Sequence, residues 1–241
     1  MKTNKILFGI AIAVVIYLGV SSFGVFNRNS IKGSGTLLKE SRELAIFHSL
    51  EVGGAFNVTL KQGSPQSVII TTDDNLMPHI ITKVKNGELE IYTKGSIQRP
   101  TKLKVEIVVQ NIDEIDLSGA CNLETTGYIS SNDMEIEGSG ASTFKMQVKC
   151  KKLSLDFSGA SNVDMIGSTK ILDIIASGAS GVDCSKLNAE VVNIDASGAS
   201  SVEVIADKLI TVDASGASSV EYSGKASVTV ETSGASSVEE K

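Results

Sequence analysis

The tripeptide Ser-Gly-Ala occurs seven times in the second half of this 241-residue chain, with its serines at 118, 139, 158, 177, 197, 215 and 233. Successive copies stand 21, 19, 19, 20, 18 and 18 residues apart. A near-constant spacing of about twenty residues marks a solenoid, in which each repeat is one winding stacked on the last. The columns around the phrase say what each winding is made of. Three residues before the serine stand Ile115, Ile136, Leu155, Ile174, Ile194, Val212 and Val230, and five before it Asp113, Met134, Leu153, Leu172, Val192, Ile210 and Val228. One before it stand Leu117, Gly138, Phe157, Ala176, Ala196, Ala214 and Thr232. Alternate positions are apolar or small, the period of two that belongs to a strand with one buried face. Five residues after the serine the column reads Leu123, Phe144, Val163, Val182, Val202, Val220 and Val238, a second inward-facing strand.

Each winding therefore needs two short strands and a bend between them. The glycine of the phrase permits a backbone that a Cβ would oppose, and the alanine after it is expected at a tight inner corner. The next column, Cys121, Ser142, Ser161, Ser180, Ser200, Ser218 and Ser236, places hydroxyls where they can satisfy backbone groups at the corner. Parallel pairing at about 4.8 Å per winding makes seven windings a rod of roughly 34 Å. The fold expected is all-β: a right-handed parallel β-helix with coils of about 18–21 residues, since parallel crossovers take that hand.

Residues 44–115 lack the phrase but alternate in the same way, in "SVIITT" (67–72), "ELEIYT" (88–93) and "KLKVEIVV" (102–109), with turn-like separators between. They are expected to form irregular N-terminal coils, and residues 116–241 the regular ones. Before them, residues 28–43 read as a polar linker. Residues 1–27 hold Lys2 and Lys5 followed by 21 uncharged residues, Ile6 to Phe26. That is the pattern of a signal peptide or of a single-pass membrane anchor helix, and both imply export of the remainder of the chain.

Charge narrows the partners. Residues 111–241 carry 20 Asp and Glu against 9 Lys and Arg, so a polyanion such as nucleic acid is excluded as a natural ligand. The acids fall in two columns. Two residues before the serine stand Asp116, Glu137, Asp156, Ile175, Asp195, Asp213 and Glu231; six after it stand Glu124, Lys145, Asp164, Asp183, Glu203, Glu221 and Glu239. Their parity is opposite to the buried columns, so both should face water. Two explanations are open for like charges stacked so closely: a strip for hard cations such as Ca²⁺, or a solvated face that discourages lateral pairing.

The segment "VGGAFNVTLKQGSPQSVIITTDDNLMPHIITKVKNGELEIYTKG" (52–95), together with the Ser-Gly-Ala windings beyond it, resembles the auto-transporter adhesin head GIN domain family over about residues 45–240. The resemblance implies a right-handed β-helix on or near the cell surface with an adhesive role, and it brings no catalytic motif with it.

No catalytic, cofactor-binding or metal-ligating residue is assigned. "STFK" (142–145) has the S-x-x-K spacing but lacks its companion motifs, and His48 and His79 have no ligand cluster around them in sequence. Cys121, Cys150 and Cys184 are odd in number and their spacing fits neither a CxxC pair nor a metal site. Free, buried thiols are the default expectation, and oxidation of two of them in an exported chain stays open. The reading is an exported cell-envelope module that binds a surface polymer or protein. It would meet the membrane only through its N-terminal segment and be open to self-association through its last coil. The rival is a carbohydrate-active enzyme, a polysaccharide lyase or hydrolase, using the irregular coils around Asp73, Asp74 and Glu88.

Overall fold

A computed structural model describes residues 30–241. The hydrophobic segment expected as signal or anchor lies outside the described residues. Among those described, no helix is long and apolar enough to cross a membrane.

The serine-aligned columns are the stacking register. Strand Asp133–Gly138 turns at Ser139–Ser142 into Thr143–Lys149, and a second bend at Cys150 and Lys151 leads to Lys152–Phe157. The pairing is parallel, with Met134 beside Leu153 and Phe144 beside Val163, nineteen positions on in each case. Further along, Asp195 pairs with Asp213 and Val202 with Val220. Windings of unequal length stay in step because the surplus is absorbed far from the Ser-Gly-Ala bend. Within Gly181–Ala196 and Ser201–Ala214 the register slips between Cys184 and Asn188 and again between Ala189 and Val191. Bulges of this kind take up an extra residue without breaking the ladder.

One continuous core runs through the windings. Ile115, Ile136, Leu155, Ile174, Ile194 and Val212 are all buried, as are Leu123, Phe144, Val163, Val182, Val202 and Val220. Only the last winding is uncovered, leaving Val230 42% exposed. Gly138 interrupts its column for a steric reason: a Cβ there would lie 2.6 Å from the rings of both Phe144 and Phe157. Those rings meet edge to face with centroids 5.0 Å apart, an arrangement that adds about 1 kcal/mol beyond burial.

The N-terminal part departs from a simple run of coils. Ser49–Gly54 and Asn57–Gln62 form a full winding beneath the first Ser-Gly-Ala, with Gly54 beside Gly119. Below them the chain order reverses. The later strands Glu88–Thr93 and Leu103–Val109 stack in parallel under the earlier Ser49–Gly54 and Asn57–Gln62. Antiparallel strands close that end: Ile80–Lys85 on Glu88–Thr93, Ser67–Asp73 on Leu103–Val109, and Leu37–Arg42 on Ser67–Asp73. Asn86 and Gly87, at φ 54° and 84°, make the two-residue hairpin that the first of these requires. Residues 31–42, read from sequence as part of a linker, thus supply two strands, Ile31–Lys32 and Leu37–Arg42. Antiparallel pairing lets Ile80–Lys85 lie on Glu88–Thr93 through a two-residue turn, whereas a parallel neighbour there would need a crossover.

Candidate functional site

The Ser-Gly-Ala bend is a backbone ladder. Its seven glycines have φ between 70° and 88°. Each of their carbonyls, up to Gly216, accepts the N–H of the alanine one winding on, as from Ala141 to Gly119 and from Ala160 to Gly140, at 2.7 Å. A Cβ on any of these glycines would lie 2.4–2.7 Å from the glycine carbonyl oxygen of the preceding winding. Glycine is thus needed twice, for the left-handed backbone and for the close approach. The alanine does not fill an inner corner as expected. Ala120, Ala141, Ala160, Ala179, Ala199 and Ala217 are exposed, and the residue after each, Cys121 in the first bend and serine in the others, turns in instead. Ser142, Ser161, Ser180, Ser218 and Ser236 donate to the carbonyl three residues back at 2.9–3.0 Å. Cys121 takes the same place with its thiol 3.4 Å from Ser118 O. Ser200 breaks the series, its buried Oγ lacking a partner.

Both acidic columns face outward, and one reaches further than the sequence pattern indicated. Asp116 pairs in register with Glu137 above and Glu51 below, and Glu51 with Glu90. The ladder continues through Asp156, is interrupted by the exposed Ile175, and resumes at Asp195, Asp213 and Glu231. Burial between neighbouring rungs pushes the carboxyl of Glu137 up, and the charges of Asp116, Glu135, Asp156 and Glu114 push it further. Asp116 is raised by burial and then by Glu114, Asp156 by burial, and Glu51 by burial and then by Glu90, Glu88 and Asp116. At the lower end, carboxylate oxygens of Glu51, Glu88 and Glu90 lie within 4.8 Å of one another. There the Lys83 ammonium, 2.6 Å from Glu90, supplies the balancing charge.

On the other face Asp164, Asp183, Glu203, Glu221 and Glu239 stack in register. Gly181, with no side chain between Asn162 and Ser201, leaves a shallow groove of about 280 Å³ walled by Lys145, Asp164, Asp183 and Glu203. Burial would raise Asp183, but hydrogen bonds from the hydroxyl and N–H of Ser185, at 2.6 and 2.9 Å, outweigh it and hold the carboxyl below the ordinary range. Lys241 folds back onto Glu203 at 2.7 Å and Glu221 at 3.5 Å.

The three acids expected of a hydrolytic centre have separate partners. Asp73 is fully buried, and its Oδ1 accepts from Gly35 N–H and Thr101 Oγ while Oδ2 accepts from Thr101 N–H, each at 2.7 Å. Burial pushes this carboxyl up; the bonds from Thr101 and Gly35 overcome it, so it is held below the usual carboxylate value. Asp73, the last residue of Ser67–Asp73, thus ties the segments of Gly35 and Thr101 to that strand, and Gly33 packs so closely that a Cβ would fall 2.8 Å from its carboxyl. Asp74 accepts from Ser34 Oγ at 2.5 Å, and Glu88 belongs to the ladder cluster. His48 Nδ1 stands 3.1 Å from Asp113 on the surface, and His79 ends the short 3₁₀ turn Met77–His79. Ser142 of "STFK" is enclosed in the bend. Cys121, Cys150 and Cys184 are free, and burial is the first cause raising each thiol.

The family model described as "Putative auto-transporter adhesin, head GIN domain" matches residues 46–226. A crystal structure of a "putative adhesin" from Bacteroides fragilis superposes with a TM-score of 0.84 at 19% identity, covering 88% of this chain and 100% of that one. A "putative adhesin" from Parabacteroides distasonis gives 0.75 at 22% identity over 88% of this chain and 100% of that one. A "Putative lipid binding protein" from the same species gives 0.75 at 17% identity over 88% and 99%. At these identities the structures establish a shared fold. No curated protein matches the chain.

Proposed function

The chain belongs to the auto-transporter adhesin head GIN domain family, and from that premise we propose that it is an exported, non-catalytic rod of the cell envelope that adheres to a surface polymer or protein. Its winding is right-handed by the general preference of parallel crossovers. Residues 6–26 carry it across the cytoplasmic membrane, either remaining as its anchor or leaving it at the cell surface or in the periplasm after cleavage.

The observation that carries this reading is the uniformity of the outward faces. Carboxylates recur in register from Glu90 to Glu231 on one face, broken only at Ile175, and from Asp164 to Glu239 on the other. Such a surface suits a partner that also repeats, since many weak contacts engaged together multiply in effect. The charge selects partners with spaced cationic groups. Asp73, the one fully buried acid among the described residues, has both carboxylate oxygens held by donors of Gly35 and Thr101, which favours adhesion over a hydrolytic role for the irregular coils.

The test is a binding screen of the full-length chain against glycans, cationic polymers and matrix proteins, alongside turnover assays on acidic polysaccharides. Salt-sensitive binding weakened by Glu137→Gln with Asp156→Asn is the expected result. Turnover lost on Asp73→Asn or Glu88→Gln, with no ligand retained, would overturn the proposal.

A further inference from the structure

Lys241 shows how a cation sits on the second acidic column. Its backbone N–H donates to Tyr222 O at 2.9 Å, and its ammonium bridges two successive rungs, Glu203 at 2.7 Å and Glu221 at 3.5 Å. The two rungs beneath, Asp183 and Asp164, stack in register in the same way. Neither of them forms an ion pair among the described residues. Both Ser185 bonds go to Oδ1 of Asp183, and they hold that carboxyl ionised while leaving Oδ2 unused. Lys186 stands near enough for its charge to act on Asp183 but pairs with no acid. Lys145, the next rung down, ends the run of acids and closes the groove.

The column beside these acids is small. From Gly181 through Ser201 and Ser219 to Ser237 no side chain exceeds a serine's, and at Gly181 the groove reaches Val163 and Val182. An ammonium on a four-carbon stem matches that shape, since the stem can lie along the aliphatic floor while the charge reaches the carboxylates. The backbone does not require glycine here. Gly181 is not among the positive-φ glycines, and the nearest atom to a built Cβ is Asn162 Oδ1 at 3.5 Å, an ordinary contact. What a side chain at 181 would remove is the groove.

We infer that the groove over Gly181 receives a lysine side chain of an extended partner protein, its ammonium bridging Asp183 and Asp164 as that of Lys241 bridges Glu203 and Glu221. This deepens the adhesive reading and rests on it for its setting, naming the site and the chemistry of the partner. The two seats lie two windings apart, about 9.6 Å. A polyproline-type segment turns every third side chain to one side at intervals of about 9.3 Å, so lysines three residues apart match the two seats. Lys241 already fills the upper one and competes with the partner there.

The probe is a fluorescent peptide of three Lys-Pro-Pro repeats, titrated with the full-length chain in non-ionic detergent and read by anisotropy. Gly181→Val, which fills the groove without altering charge, and Asp164→Asn plus Asp183→Asn should each weaken binding about fivefold. Lys241→Ala frees the second seat and should tighten binding several-fold. Unchanged binding by Gly181→Val would overturn the site. So would equal binding of the peptide with its lysines acetylated, or of one with the same composition and its three lysines adjacent. Peptide binding weakened only by Glu137→Gln plus Asp156→Asn would overturn this groove and leave adhesion through the other face standing. Turnover of polysaccharide without ligand binding would remove the adhesive reading itself.

Discussion

Gly159→Ala tests the close stacking of the bends. The new Cβ would sit 2.4 Å from the Gly140 carbonyl oxygen, the same oxygen that accepts the Ala160 N–H at 2.7 Å. Relieving that contact must lengthen the hydrogen bond or lift one winding from the next. Gly127 provides the internal reference, because its φ is +81° but nothing lies within 4 Å of its built Cβ. Gly127→Ala should therefore cost only the left-handed strain, about 1–2 kcal/mol. Gly159→Ala carries that strain plus overpacking of about 1–3 kcal/mol, for a total of about 2–5 kcal/mol. With a urea slope of about 1–3 kcal/mol per molar, the two midpoints should separate by about 1 M. Urea titration followed by far-ultraviolet circular dichroism reads the difference. Coincident midpoints for the two variants would refute the reasoning, since left-handed strain alone would then account for both.

Three further outcomes are expected from the same geometry. Val220→Asp buries an unpaired charge and should cost at least about 3 kcal/mol, whereas its exposed neighbour Glu221→Ala should be near neutral in the same titration. Ser161→Ala removes a made hydrogen bond and should cost about 1 kcal/mol, while Ser200→Ala removes an unpartnered hydroxyl and should be neutral or slightly stabilising. The carboxyls of Glu51, Asp116, Glu137 and Asp156 are raised, so in the window above their unfolded values the folded state binds the extra protons. That contribution is fully present below the unfolded values and lost as pH rises through the folded ones, so stability grows as pH falls from neutral. Melting temperature should rise from pH 7 to mildly acidic pH. Replacing the four by their amides should flatten the rise. At lower pH, Asp73 and Asp183, which are held low, act in the opposite sense and lose their contribution as pH falls through their folded values.

What was legible in the sequence was whatever repeats locally. The buried columns, the glycine bend and the serine that satisfies a carbonyl all come from period two carried on a period near twenty. The side on which the alanine of the bend lies is not legible, because a methyl group is tolerated on either side of a corner and hydropathy alone does not choose. The first winding is masked in the sequence because Gly53-Gly54-Ala55-Phe56 stands where Ser118-Gly119-Ala120-Cys121 stands one winding on. A glycine for the serine and a phenylalanine for the small buried residue hide the phrase, and only its Gly-Ala pair is kept. The reversal below that winding was not legible at all. Glu88–Thr93 alternates identically whether it pairs forward or backward, so periodicity carries no information about which strand lies beneath which. The same limit hid the reach of the acidic ladder. Glu51 and Glu90 join Asp116 only through pairings of distant segments. Leu37–Arg42 read as linker because an end strand with mostly exposed side chains has little amphipathic pattern.

The central claim is that each Ser-Gly-Ala phrase lies directly above the one before it, and distances between spin labels on the exposed alanines measure this directly. Labels at Ala120 paired in turn with Ala179, Ala199, Ala217 and Ala235 span three, four, five and six windings. The account predicts separations that grow by about 4.8 Å with each added winding. Separations that do not lengthen with winding number would contradict it.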